Sequence, residues 1–371
     1  MRRLLRWLGR GLLLAILLAF LLGDPIAWGQ AALIMWDVAA GGRPTLWQDL
    51  TADPAFESIR WSDGEGDLYT PGGRTRAAMV LVPGAAVLGR DEPRLRALAR
   101  SLARAGFVVL VPELPEVRRF ALSRADADRI AAALRELHRR LPGEPLGAAA
   151  VSYAVAPTVI AALQDDIAPQ VRFLVGVGGY YDAEAVIRFA TTGAFRPPGD
   201  PRLLRLVPSD YGRWAMLLAN ASRLEDADDG QVLWEIARAR ARDPAADVTR
   251  LAARLGPQGR SVLALVENRD PDAVVKLMAA LPENVRQDID GLNLTLYDLR
   301  KLRAHLILVH GRGDTLVPYS ESQTLAIAAV NAHPDLFLID DLGHVDFNAV
   351  TLANGWNMWR AVLTLLEERR R

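Results

Sequence analysis

Along the chain the spacing of apolar residues changes period several times, and each change marks an element. Residues 11–23 are an uninterrupted apolar run bounded by glycines, with Arg2, Arg3, Arg6 and Arg10 before it. Residues 24–54 are a mixed, tryptophan-containing stretch in which Gln30 and Asp37 interrupt the apolar positions. Between Phe56 and Tyr69, alternation around Ile59, Trp61 and Leu68 with Asp63-Gly64 between predicts a β-hairpin. A strand–helix rhythm then begins. Residues 77–83, 107–111, 146–152 and 171–177 are short apolar runs of buried-strand type, separated by helical spacing over 92–105, 124–140 and 154–164. Gly106 and Pro142-Gly143 supply stop signals for the first two of these helices. The rhythm breaks over 181–303, which is mostly helical in pattern, with turns at 196–199, Asp243-Pro244, Gly256-Pro257 and Asp270-Pro271. It resumes with strands at 304–310 and 335–339 and helices at 320–331 and 353–369. Strands alternating with helices predict an α/β fold: a mostly parallel central sheet with helices on both faces. Residues 55–180 and 304–371 form its core, and 181–303 are an inserted helical cap.

The N-terminus changes this picture. Thirteen apolar residues fall short of the roughly 20 that a spanning helix needs. Leu4, Leu5, Trp7 and Leu8 extend the run if the arginines reach back to the headgroups. Residues 1–23 then read as a transmembrane anchor whose preceding positive charges stay cytoplasmic, with the rest of the chain on the other side. A cleaved signal peptide is the competing reading, but Ala27-Trp28-Gly29 is a poor cleavage site. Residues 24–54 would be juxtamembrane, lying along the surface without a second span. Forty-four basic residues balance 44 acidic ones, which argues against a nucleic-acid partner. The absence of cysteine removes disulfides and thiolate chemistry. No metal site or cofactor fingerprint stands out. Gly176-Val-Gly-Gly179 lacks the third glycine of a dinucleotide loop and reads as a strand-end turn. Glu225, Asp226, Asp228 and Asp229 read as a solvated turn between helices, and Tyr180 and Tyr181 as residues packing under the cap.

The chemistry centres on Ser152, which stands where an apolar strand gives way to a small-residue helix, flanked by Ala150 and Ala154. That is the layout of a nucleophile elbow, whose strained turn requires small residues two before and two after the serine. The usual glycines are replaced by alanines. A serine hydroxyl needs a base, usually histidine, oriented by a carboxylate. Of five histidines, His138 lies on a polar helix face, His305 opens a strand and His333 lies in a connection; His310 ends a strand. His344 follows the last strand at the sheet edge where ligands bind. Asp314 follows the strand 304–310 and is the preferred acid; Asp182, after the strand 171–177, is the alternative. Backbone N–H groups of Tyr153 and Ala85 are the expected oxyanion donors.

Residues 77–180 and 304–369 resemble the α/β-hydrolase superfamily. The resemblance is carried by Val151-Ser-Tyr-Ala154, Gly311-x-x-Asp314-x-x-Val-Pro318 and Gly343-His344. Pro83-Gly84 stands where the family usually has His-Gly. The resemblance implies a Ser152–Asp314–His344 triad and a hydrolase of carboxylic esters working through an acyl-enzyme; the N-terminal anchor adds membrane attachment and a small-molecule or lipid-like ester. A peptidase or amidase of the same fold, or a scaffold that binds without catalysis, is the alternative.

Overall fold

The computed structural model describes residues 24–370 apart from 85–86, 120, 122, 341–342 and 344–351. The expected anchor, residues 1–23, lies outside the described residues. Among those described, no helix is long and apolar enough to cross a membrane.

Two helices open the described chain, α1 (Pro25–Ala39) and the single turn α2 (Leu46–Asp49). The hairpin follows as β1 (Ala55–Trp61) and β2 (Gly64–Thr70), then β3 (Ala77–Val82), α3 (Pro93–Arg104), β4 (Phe107–Pro112) and α4 (Ala125–Arg140). The centre is β5 (Leu146–Val151), α5 (Val155–Ala162) and β6 (Val171–Val177). Next comes the insertion: α6 (Ala183–Thr192), a two-stranded ribbon β7 (Ala194–Phe195) and β8 (Leu204–Arg205), α7 (Asp210–Asn220), α8 (Ala227–Arg242), α9 (Pro257–Glu267), α10 (Val274–Ala279) and α11 (Glu283–Asp290). The chain closes with β9 (His305–Gly311), α12 (Ser320–Ala328), β10 (Asp335–Ile339) and α13 (Leu352–Glu367).

The main sheet has eight strands in the order β1-β2-β4-β3-β5-β6-β9-β10. β1 and β2 pair antiparallel, as do β2 and β4, and every pair from β4 to β10 is parallel. Strands buried on both faces read as unbroken apolar runs, and β3 and β4 are buried at every position. The two-residue period sorts them. Ala78, Val80 and Val82 enter a core with α4 and α5, whereas Ala77, Met79 and Leu81 enter a second core with α1, α3 and α13. This is the α/β-hydrolase fold.

Three local expectations change. The stretch after Asp24 is a regular helix folded against the second core. The Asp24 carboxylate accepts from Ile26 N and Ala27 N at 3.1 Å to cap α1, and Pro25 takes the first turn, where no intrahelical donor is needed. Apolar side chains on both faces hide the helix in the sequence, and its seat is provided by α13 from the far end of the chain. The inserted segment is helical but carries the ribbon β7–β8, too short to show a period. Helix α12 stops at Ala328, and a 3₁₀ turn ends at His333 in the left-handed region (φ 44°).

Candidate active site

β5 ends at Val151, residues Ser152–Ala154 form one 3₁₀ turn, and α5 starts at Val155. Ser152 has φ 57°, and among the described non-glycine residues only His333 shares a positive φ. A side chain held there costs about 1–3 kcal/mol, which surrounding packing must offset. The packing is tight. Ala150 and Ala154 are fully buried. A Cβ on Gly179 would stand 2.5 Å from Val155 Cβ, and one on Gly176 3.1 Å from Val155 Cγ1. These two glycines let the first residue of α5 close down on the sheet. Gly176 lies in β6 and Gly179 just beyond it, as the strand-end reading expected.

Asp314 lies in the loop after β9 and is 1 % exposed. Its Oδ1 accepts from Leu316 N at 2.8 Å and Val317 N at 3.0 Å, which folds the loop around the carboxylate. His310, the penultimate residue of β9, holds the same loop. It is fully buried, with Nε2 3.0 Å from Val317 O, 3.4 Å from Asp314 Oδ2, and Nδ1 2.7 Å from Ser322 Oγ. A carbonyl oxygen can only accept, so Nε2 carries the proton. Its place four residues before Asp314 is visible in the chain, but the role needs Ser322 from α12.

The sheet sets the distance between serine and acid. β5, β6 and β9 are adjacent, with Val151 beside Val177 and Val177 beside Val309, so Ser152 and Asp314 both leave the carboxyl edge. Two strand spacings amount to about 10 Å, too far for a direct hydrogen bond between the two strand ends. β10 pairs with β9 through Ile339 and Gly311 and delivers the chain to the same edge. His344, the expected bridge, lies outside the described residues, as does Ala85, the second expected oxyanion donor.

Tyr153, the first expected donor residue, is 7 % exposed, and its side chain is anchored. Its hydroxyl accepts from Ser123 N at 3.0 Å and donates to Asp126 Oδ2 at 3.2 Å. Asp126 is fully buried. Burial pushes its carboxyl up to about 6, against the opposing pull of the Tyr153 hydrogen bond and of Arg129. Burial likewise raises the Tyr153 phenol, with Asp126 adding to the effect. The residue after Ser152 is thus tied to the first turn of α4.

Ser152 and Tyr153 line a cavity of about 650 Å³, within the range of small-molecule sites. Pro83 and Gly84 border it after β3, and Thr315, Leu316 and Val317 border it beside Asp314. The insertion supplies apolar wall from Ile187 of α6, Met216 of α7, and Ile289 and Leu292 at the end of α11; Val38 and Ala39 of α1 and Leu98 of α3 close the other side. Tyr180 is buried in the core, as its reading as a packing residue expects, and it also borders the cavity.

The remaining candidates have structural roles. Asp182 caps α6, accepting from Glu184 N at 2.9 Å, and its own N–H donates to Glu321 Oε2 at 2.8 Å. Burial pushes that Glu321 carboxyl up to about 7. In the acidic cluster, Asp226 caps α8, while Asp229 is buried and accepts from Gly256 N and Gly259 N, tying α8 to α9. The solvated-turn reading is wrong for Asp229, because its partners come from a helix some 30 residues later in the chain. His305 lies at the opposite end of β9, 2.6 Å from Glu368 and 3.1 Å from Asp335. Among the described residues no group of three acidic or histidine side chains is placed to hold a metal ion.

No family model matches the sequence, and no curated protein matches it. Solved structures do resemble it. The Pyrococcus horikoshii acylaminoacyl peptidase matches over 87 % of this chain and 42 % of its own, at 12 % identity and a TM-score of 0.47. A Mycobacterium tuberculosis puromycin-hydrolyzing peptidase matches over 85 % of this chain and 38 % of its own, at 15 % identity and a TM-score of 0.45. The chain therefore spans about two fifths of either peptidase. A serine hydrolase from the polyaromatic hydrocarbon-degrading bacterium Cycloclasticus zankles matches over 84 % of this chain and 98 % of its own, at 14 % identity and a TM-score of 0.45. These are likenesses of fold.

Proposed function

We propose that this chain of the α/β-hydrolase fold is a serine hydrolase that cleaves carboxylic esters with an apolar acyl group. The observation that carries the reading is Ser152, held at φ 57° on a strand-to-helix turn and opening into an apolar cavity beside the Asp314 loop. Holding a non-glycine residue there has a cost that packing alone gives no reason to bear. In the proposed reaction Ser152 Oγ attacks the ester carbonyl while His344 takes its proton. Asp314 orients the imidazole and stabilises its charged form. The N–H groups of Tyr153 and Ala85 donate to the oxyanion, with the N-terminal end of α5 adding a favourable dipole. The alkoxide leaves with the proton from His344; water, deprotonated by the same histidine, then releases the acid and restores Ser152. The apolar walls from α1, α3 and the insertion support an apolar acyl group over a charged one. Residues 1–23 belong to the proposal as a single membrane anchor, with the catalytic domain on the non-cytoplasmic side.

The test is labelling with a fluorescent fluorophosphonate. Wild type is expected to label, and Ser152→Ala is expected to lose labelling together with ester turnover, by on the order of 10⁴-fold or more. A folded wild type that does not label would favour the scaffold reading. Matched ester and anilide substrates then separate esterase from amidase: the ester should turn over and the anilide should not.

A further inference from the structure

Helix α1 packs Ala31 and Ile34 into the second core, yet its outer face lacks the polar side chains of a helix covering a water-soluble protein. Its exposed residues are Ile26, Gly29, Ala32, Trp36 and Ala39, spaced three and four apart, so they form one row along the helix. None is polar. Ile26 is 71 % exposed and Trp36 53 %. The two polar side chains of α1 after its cap point inward and are paired. Gln30 Oε1 accepts from Arg369 at 2.9 Å, and Asp37 is buried and accepts from Thr45 and from Gln48. A surface helix in water normally shows the opposite arrangement.

Aromatic rings continue this face onto α13. Trp28 meets Trp359 edge-on at 6.3 Å, and Trp359 stacks on Trp356 at 5.0 Å. Trp356 is 60 % exposed. Trp359 Nε1 donates to Trp28 O at 3.0 Å, fixing the two helices together. Indole rings of this kind, apolar with one polar edge, concentrate where hydrocarbon meets water.

What precedes the helix identifies what covers it. The apolar run 11–23 ends immediately before Asp24, and Asp24 caps the N-terminus of α1. We propose that α1 lies in the surface of a phospholipid bilayer, with the row from Ile26 to Ala39 and Trp356 immersed at the headgroup–acyl boundary. Fifteen residues give a helix about 22 Å long to lie along that surface. The same helix ends in Val38 and Ala39, which border the Ser152 cavity. With α1 so placed, the proposal has the cavity open beside the bilayer, and an ester with a long acyl chain enters from the lipid. This last step rests on the serine hydrolase reading, and the immersion rests on residues 1–23 entering the same membrane.

The chain has no cysteine, so single spin labels can be placed on the full-length protein. Gly29→Cys, Ala32→Cys and Trp36→Cys, with Ser62→Cys in the β1–β2 turn as the aqueous reference, are labelled and reconstituted into phosphatidylcholine–phosphatidylglycerol vesicles. The expected result is that the three α1 labels are relaxed more by oxygen than by a water-soluble nickel chelate, with the reverse at residue 62. Equal behaviour at all four sites overturns the proposal, as does a chain that does not float with the vesicles. Shielding from both reagents would assign the face to residues 1–23 folded back on it, and spin–spin broadening to a second copy; either result overturns it. Trp36→Glu supplies the functional arm. It should lower hydrolysis of a vesicle-embedded long-chain ester at least fivefold and leave a soluble acetyl ester within twofold. Absence of all hydrolysis would sink the hydrolase reading and leave the depth measurement standing.

Discussion

At the scale of single residues, the least expected feature is the carboxyl buried under the Ser152 turn. Asp126 takes the Tyr153 hydroxyl as a donor, yet burial outweighs that help and pushes it up to about 6 from the ordinary 3.8. Between about pH 4 and 6 the folded chain holds a proton that the unfolded chain has released. The stability this group contributes is therefore full below about 4 and lost as pH rises through 6. Asp126→Asn keeps an acceptor for Tyr153 and removes the titration. Urea unfolding is expected to show wild type and variant alike near pH 4, with the variant gaining about 1–3 kcal/mol above pH 7. A variant less stable at high pH than at low pH, relative to wild type, would contradict this sign. Ser152 and its alanine neighbours were legible in the sequence, because the elbow is a local conflict between chain direction and side-chain size. The Tyr153–Asp126 bond was not, because its partners are 27 residues apart and meet only when α4 packs on the sheet.

At the scale of elements, the seating of α5 against β6 decides where Ser152 points. Gly179 leaves no space for a methyl group, with Val155 Cβ 2.5 Å from where it would stand. Gly179→Ala is expected to cost about 1–3 kcal/mol by overpacking and to slow fluorophosphonate labelling as α5 shifts. Urea unfolding and labelling rate measure the two effects, and a variant unchanged in both would show that the helix can move freely. Strands buried on both faces were legible as apolar runs, and β6 and β10 agree residue for residue with the pattern. Helix α1 is not legible as a docked element. Its apolar residues point both ways, some into the core and some to the outside, so it has no single apolar stripe to read.

At the scale of the whole molecule, the cavity beside Ser152 is walled by parts of the chain far apart. Val38 comes from α1, Leu98 from α3, Ile187 and Met216 from the insertion, and Leu316 from the acid loop. Filling the cavity from one wall should discriminate by size. Ile187→Trp is expected to lower kcat/KM for long-chain esters by at least about tenfold and leave an acetyl ester within twofold. A series of p-nitrophenyl esters of increasing chain length measures this, and uniform loss across the series would place the acyl group elsewhere.

The sequence by itself determined the parallel sheet, the strained serine, the acid that follows β9 and the apolar run at the N-terminus. Each is written in contiguous residues: a burial period, small neighbours around one position, or an unbroken hydrophobic stretch. Only the tertiary structure decided that His310 straps the acid loop through Ser322, that Asp229 joins two helices and that the outer face of α1 is bare of polar groups. These depend on which distant segments meet, as Trp28 and Trp359 do across 331 residues. Periodicity can state that a residue is on a face, but what that face touches is set by packing.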